Sequence, residues 1–217
     1  MCRFYISKGP IDLSKALKLA AKYDPYKPSG DKQHGDGWGF VAASPHGYIL
    51  YKSGRPAWED PTPVPMREAV LAHARAASPG EPRGPQHAHP YAVETPDGRV
   101  IFVAHNGSVD KVAMSQDMGA NPTAYTDSYV LAKFLAKRWH NPQRAFEEAL
   151  PYVKTALNVA VLEFPTLDAY VYTYYKGDRR YYALYMVKTA GAAAVVSSTL
   201  TRYVPGVELE NGVFLKL

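Results

Sequence analysis

The order of predicted elements points to an α+β fold built as a single domain. Strand patterns come in runs with the helices grouped between them, which reads as stacked layers rather than alternating βαβ units. The chain has 217 residues, enough for one domain with a sizeable core. Hydrophobic residues make up 47% and charged residues 21%, ordinary globular usage that excludes disorder, collagen and coiled coil as descriptions of the whole. No internal repeat and no composition shift divides the chain, so residues 1–217 are read as one domain.

Residues 3–6 read as a short strand that anchors the N-terminus. Asp12 is placed to cap a helix whose Leu13, Leu17 and Ala20 share one face. A polar loop containing Pro and Gly covers 25–34. Two strands, 37–43 and 48–52, flank a Ser-Pro-His-Gly turn, and a proline-rich stretch follows over 56–65. Residues 69–74 form a strand ending at Arg75, and the Gly-, Pro- and His-rich run 76–89 is loop. The β-branched run 100–104 is a strand that leads into His105-Asn106-Gly107. Ser108 or Asp110 caps a short helix reaching 118. Residues 127–139 form a longer helix with Val130, Leu131, Phe134 and Leu135 on one stripe. Asn141 caps the next helix and Pro142 opens it, with an end expected at 153. Strands then recur near 159–164, 169–174, 181–187, 193–197 and 213–216, and Lys176, Arg179 and Arg180 mark a turn between two of them.

Composition narrows the function less than it narrows the fold. Net charge is +5, but Lys and Arg are scattered instead of lying on one face, so a nucleic-acid footprint is not expected. No apolar run approaches the ~18 residues of a membrane-spanning helix. The N-terminus lacks the basic and apolar regions of a signal peptide. The expectation is a soluble, cytoplasmic protein.

The chain has one cysteine, so no intramolecular disulfide can form. That residue is Cys2. A free cysteine is ordinarily a small buried hydrophobe, yet position 2 is an unusual place for one, because termini fray unless tied down. Cysteine is small enough at position 2 for the initiator Met1 to be clipped. Clipping leaves a thiol and a free α-amine on one residue. An α-amine has a pKa of ~7.7–8.0, so it can act as the base that activates its own side chain.

Further short segments sit at predicted strand ends or helix starts: Asp36-Gly37-Trp38-Gly39, His73-Ala74-Arg75, His105-Asn106-Gly107 and Thr126-Asp127-Ser128. Singly, each has a plain explanation. Asn-Gly is the commonest hairpin turn, and Asp127 before an apolar run is an N-cap by default. Together with Cys2 they meet one chemical specification, that of glutamine. Its α-carboxylate calls for a two-pronged donor, an arginine, and its α-ammonium calls for a carboxylate. Its carboxamide calls for a nucleophile and for donors aimed at the oxyanion formed on attack. An asparagine amide and a glycine N–H would supply those donors.

The ordered set Cys2, Asp36-Gly-Trp-Gly39, His73-Ala-Arg75, Ala88-His89-Pro90, His105-Asn106-Gly107 and Thr126-Asp127-Ser128 resembles the class II glutamine amidotransferases, and in particular their small stand-alone branch. The resemblance runs at least from Cys2 to Ser128. It implies an N-terminal-nucleophile hydrolase with a four-layer αββα sandwich. It also implies roles: Cys2 as the nucleophile that forms a γ-glutamyl thioester, its α-amine as the proton shuttle, and Asn106 with Gly107 as the oxyanion hole. Arg75 would hold the substrate carboxylate and Asp127 the ammonium, with His89 lining the pocket. The Asp36 segment, with Gly37 and Trp38, would shape the substrate site near the thiol. Members housed in large synthases often carry a Trp and a Thr-His soon after the arginine, whereas here the segment reads Arg75-Ala-Ala-Ser78. That departure bears on the γ-glutamyl substrate, not on the hydrolase chemistry.

No cofactor is expected. The resemblance leaves two enzyme readings: a subunit delivering ammonia to a separate synthase partner, or a free-standing hydrolase of γ-glutamyl amides or peptides. A reading of another class is a non-catalytic glutamine-binding scaffold or regulatory subunit, against which the complete set of site residues argues. A metal hydrolase built on His87-Ala-His89 lacks any established ligand spacing to a third residue, and no metal is expected.

Overall fold

In a computed structural model, residues 2–119, 121 and 125–217 are described. Their strands are Arg3–Lys8 (β1), Trp38–Ser44 (β2), Gly47–Ser53 (β3), Ala69–Ala74 (β4), Tyr91–Glu94 (β5), Val100–Val109 (β6), Val153–Phe164 (β7), Ala169–Thr173 (β8), Leu184–Thr189 (β9), Ala192–Ser197 (β10), Val207–Glu208 (β11) and Val213–Lys216 (β12). The α-helices are Ser14–Lys22 (α1), Lys111–Met118 (α2), Asp127–Lys137 (α3), Pro142–Ala149 (α4) and Arg179–Tyr182 (α5). Seven strands form one sheet in the order β11-β9-β10-β1-β4-β2-β3, and five form a second in the order β12-β8-β7-β6-β5. Neighbouring strands are antiparallel.

Two-residue periodicity stacks the layers. Alternate side chains of a strand face opposite sides of its sheet, and here both sides are apolar. Phe4 and Ile6 of β1 and Leu71 of β4 meet Phe102 and Ala104 of β6 and Leu162 of β7 between the sheets. Tyr5, Phe40, Val70 and Ala72 point the other way, onto Leu17 and Ala20 of α1. On the far side of the second sheet, Ile101, Val103, Val159 and Val161 pack on Val130, Leu131 and Phe134 of α3 and Phe146 of α4. The result is a four-layer αββα sandwich. Each fully buried Phe, Leu or Ile in it contributes about 1.5–3 kcal/mol.

Register brings the chemistry-bearing segments to one end of this sandwich. Arg3 of β1 and Trp38 of β2 both lie opposite Ala74 of β4. Cys2, Gly37 and Arg75 therefore leave the first sheet together. Asn106 and Gly107 come from β6 of the second sheet, where they face Asn158 and Leu157 of β7.

Several local expectations change. Asn106-Gly107 is not a hairpin turn but lies inside β6, which runs on to Val109 past a register shift between Gly107 and Val109. Asp127 is not the N-cap of α3; Thr126 takes that place, its hydroxyl accepting from the Tyr129 N–H at 3.1 Å. Asp12 accepts from the Ser14 N–H without being the N-cap residue of α1, which is Leu13. Arg179 and Arg180 do not sit in a plain turn, because Asp178 caps a short helix there and β9 starts at Leu184 instead of 181. Helix α4 stops at Ala149, where a single tight turn over Leu150–Tyr152 hands the chain to β7. Strands β5 and β11 were not foreseen. Among the described residues no helix is long and apolar enough to cross a membrane.

Candidate active site

Cys2 lies immediately before β1 and is buried, 6% exposed. Its backbone nitrogen donates to Asn106 Oδ1 at 2.9 Å, and its thiol points at the Ala76 carbonyl, 3.8 Å away. Burial pushes the thiol's pKa up. The positive charge of the chain's N-terminus and the imidazole of His73 pull harder the other way and bring it down to about 6. The thiolate, which is the nucleophilic form, is thus favoured at neutral pH.

Asn106 spends its amide oxygen on the Cys2 N–H. That orients its Nδ2, which is buried and has no hydrogen-bond partner among the described residues. An unsatisfied buried donor costs about 1–3 kcal/mol, and a donor kept idle beside a nucleophile is what a developing oxyanion requires. Gly107 follows with φ +155°, and a Cβ there would stand 2.0 Å from the Ala156 carbonyl oxygen. Only glycine lets β6 run this close to β7 at that point.

A small cavity joins Cys2 and Gly107 to Arg75, Ala76, Ala77, Ser78, Glu81, His89, His105, Thr126, Asp127 and Ser128. Its free volume is about 20 Å³, room for about one water molecule. Arg75 is buried, and its Nη1 donates to the Pro82 carbonyl at 2.7 Å, so the segment 76–84 folds back over it. Asp127 accepts from the Val109 N–H at 3.2 Å and from the Ser128 hydroxyl at 3.1 Å. Freed from capping duty by Thr126, its carboxylate is turned toward β6. Glu81, which the sequence reading passed over, also lines the cavity; its Oε1 meets Lys111 at 3.0 Å while its buried Oε2 has no hydrogen-bond partner among the described residues. A lone glutamate in a Gly/Pro-rich loop carries no pattern that would have marked it.

Three buried histidines stand behind the cavity. His73 and His89 have ring centroids 4.0 Å apart. Burial, then the neighbouring charges of His73, Arg75, His105 and Lys52, push His89 well below the ordinary histidine range, so its ring is neutral. Neither of its ring nitrogens has a hydrogen-bond partner among the described residues. Burial also lowers His105, against the opposing pull of Asp127 and the bond to the Ala156 carbonyl.

Gly37 and Trp38 do not line the cavity. Trp38 is fully buried on the α1 side of its sheet, because strand alternation turns it there, and its indole N–H donates to Asp60 at 2.9 Å. Gly37 acts through its backbone, with its carbonyl accepting the Arg75 N–H at 2.8 Å. Asp36 holds the overlying segment: it accepts from the Ala77 N–H at 2.8 Å and pairs with Arg83 at 2.9 Å.

Beside Cys2 lies a buried ionic network absent from the sequence reading. Arg3, fully buried, donates to the Cys2 carbonyl at 3.2 Å, to the Tyr181 carbonyl at 3.1 Å and to Thr199 at 3.0 Å, and pairs with Asp24 at 2.6 Å. Asp24 also meets His34 Nε2 at 2.8 Å and the Thr199 hydroxyl at 2.6 Å. Among the described residues no group of three His, Cys, Asp or Glu side chains is placed to hold a metal ion.

No protein-family model and no curated protein matches the sequence. The fold matches solved structures. Glutamine phosphoribosylpyrophosphate amidotransferase from B. subtilis superposes with a TM-score of 0.69 at 17% identity, over 99% of this chain and 47% of that one. A glutamine aminotransferase class-II domain protein from Silicibacter pomeroyi gives 0.59 at 20% identity, over 99% of this chain and 94% of its own. A predicted glutamine amidotransferase from Pseudomonas aeruginosa PA01 gives 0.54 at 16%, over 100% and 93%. The chain thus spans about half the length of the first of these and nearly all of the other two. The fold is the one shared by these glutamine amidotransferase structures.

Proposed function

We propose that this chain is a class II glutamine amidotransferase-type amidohydrolase that works through Cys2. The observation that carries the proposal is the divided use of Asn106: its oxygen holds the Cys2 nitrogen at 2.9 Å while its Nδ2 stays buried and unpaired. A dead scaffold would gain nothing by burying an idle donor beside a thiol whose pKa is lowered to about 6.

In this reading Met1 is removed, and the Cys2 nitrogen becomes the α-amine that moves the proton. The thiolate sulfur attacks the γ-carbonyl carbon. The oxyanion is received by Asn106 Nδ2 and the Gly107 N–H, a type of contact worth about 3 kcal/mol per donor in the transition state. The C–N bond breaks, ammonia leaves with a proton from the α-ammonium, and water then cleaves the γ-glutamyl thioester to glutamate and free thiol. Arg75 grips the substrate carboxylate once the Pro82 carbonyl gives way. Asp127 holds the ammonium, with the free oxygen of Glu81 facing the same cavity, and neutral His89 lines the wall. Gly37 and Trp38 serve by fixing the strand ends from which Arg75 projects. The ammonia passes to a separate synthase partner.

A second reading, a free-standing hydrolase of γ-glutamyl amides, is favoured by the near full-length match to the two small proteins above. Both readings share one test. The wild-type protein should release ammonia and glutamate from glutamine, and Cys2→Ala should release neither while keeping its thermal transition. Equal ammonia release from the two proteins would sink the mechanism.

A further inference from the structure

A second and larger cavity, about 530 Å³, lies against the same segment that walls the thiol, and both share Ala76, Ala77 and Ser78. Nothing in the glutamine reaction described above uses it. A tetrahedral carbon bonded to Cys2 Sγ would have four directions to fill. Sulfur occupies one. The oxyanion occupies a second, toward Asn106 and Gly107. The glutamyl chain runs along a third toward Arg75 and Asp127. The nitrogen that must leave takes the fourth, and residues 76–78, which line both cavities, are the stretch that joins the two sites. The cavity around Cys2 leaves about 20 Å³, so any substituent on that nitrogen has to extend beyond it.

The chemistry of the larger cavity selects what it can hold. Its two cations are already matched: Lys27 pairs with Asp31 at 2.7 Å, and Arg83 pairs with Asp36 at 2.9 Å. Glu59 also lines the cavity and is exposed, and no ion pair among the described residues involves it. Trp58 stands beside it, half-buried, with its ring tip so near Gly35 that a Cβ there would be 3.0 Å away. A carboxylate left over next to an indole suits an aliphatic amine that carries a second positive charge, through an ion pair at one end and a cation–π contact along the way.

We propose that this cavity is the leaving-group subsite, and that the preferred substrates are γ-glutamyl amides of amines bearing a distal ammonium. This rests on the second reading above, the free-standing hydrolase of γ-glutamyl amides working through Cys2, and narrows its substrate class. The sulfur–carbon bond forms and the carbon–nitrogen bond breaks as before, with a diamine in place of ammonia taking the proton from the α-ammonium. Water then releases glutamate.

The test compares kcat/KM of the Met1-processed protein for glutamine and for three γ-glutamyl amides, N-butyl, N-(4-aminobutyl) and N-(3-carboxypropyl). The aminobutyl amide should exceed the butyl amide by about fivefold, the discrimination an exposed ion pair supports, and the carboxypropyl amide should fall below both. Glu59→Gln should bring the aminobutyl-to-butyl ratio close to one. Trp58→Ala should depress both of those amides relative to glutamine. Cleavage of glutamine with no cleavage of any substituted amide, a preference for the carboxypropyl amide, or a ratio that Glu59→Gln leaves untouched would each overturn the inference and spare the underlying reading. If glutamine and all three amides remain intact, both fall.

Discussion

The Cys2 backbone nitrogen and Asn106 Oδ1 lie 2.9 Å apart, joining the residue just before β1 of one sheet to a residue inside β6 of the other. This bond does two things at once. It holds the Cys2 nitrogen in place, and it leaves Nδ2 as the end of the Asn106 amide without a hydrogen-bond partner among the described residues.

Replacing that amide should therefore separate chemistry from fold. Asn106→Asp keeps an oxygen for the Cys2 nitrogen but removes the donor. The expected result is a fall in kcat of about 10²–10³-fold, with KM for glutamine changing far less. Steady-state kinetics of the two proteins check this, and a loss confined to KM would contradict the assignment.

The pH dependence of the thiol follows from its surroundings. Its pKa is lowered to about 6, so the thiolate dominates above that pH and is lost as pH falls through it. The rate of alkylation by iodoacetamide should accordingly be half-maximal near pH 6 and flat through pH 8. An ordinary cysteine would instead keep gaining reactivity around pH 8.5.

The buried network of Arg3 and Asp24 beside Cys2 bears on stability. Burial would raise the Asp24 carboxyl, but the bonds from His34 and Thr199 and the charge of Arg3 hold it well below the usual carboxylate range. A depressed folded-state pKa adds stability that is fully present above the unfolded value of ~3.9 and is lost as pH falls below it. Asp24→Asn should cost about 3–5 kcal/mol at neutral pH, because it leaves Arg3 buried without a counter-ion. Urea midpoints of wild type and variant at pH 7 measure this, and their difference should shrink as the pH falls below ~3.9.

What could be read from the sequence was local. Residues 69–74 form a short apolar run ending at Arg75, and the strand bounds read there agree with those of β4. The chemical logic of Cys2, Arg75, Asn106, Gly107 and Asp127 could be stated from residue types alone, and the fold brings all five to one end of the sandwich. What could not be read was set by distant partners. Asn106-Gly107 has turn chemistry, yet pairing with Asn158 and Leu157, some fifty residues on, holds it in a strand. Asp127 looked like a cap because nothing nearby showed that Thr126 would take the task. Arg3 gave no signal at all, since its partners Asp24, Tyr181 and Thr199 lie 21, 178 and 196 residues away. The resemblance places Trp38 near the substrate with the rest of its Asp36-Gly-Trp-Gly segment, but strand alternation turns its ring into the core.

Intact mass before and after a glutamine-mimicking diazoketone decides whether Cys2 is a processed, glutamine-competent nucleophile. The expected protein lacks Met1 and gains one covalent adduct, mapped to Cys2. A retained Met1 with no adduct, or an adduct at any other residue, would contradict it.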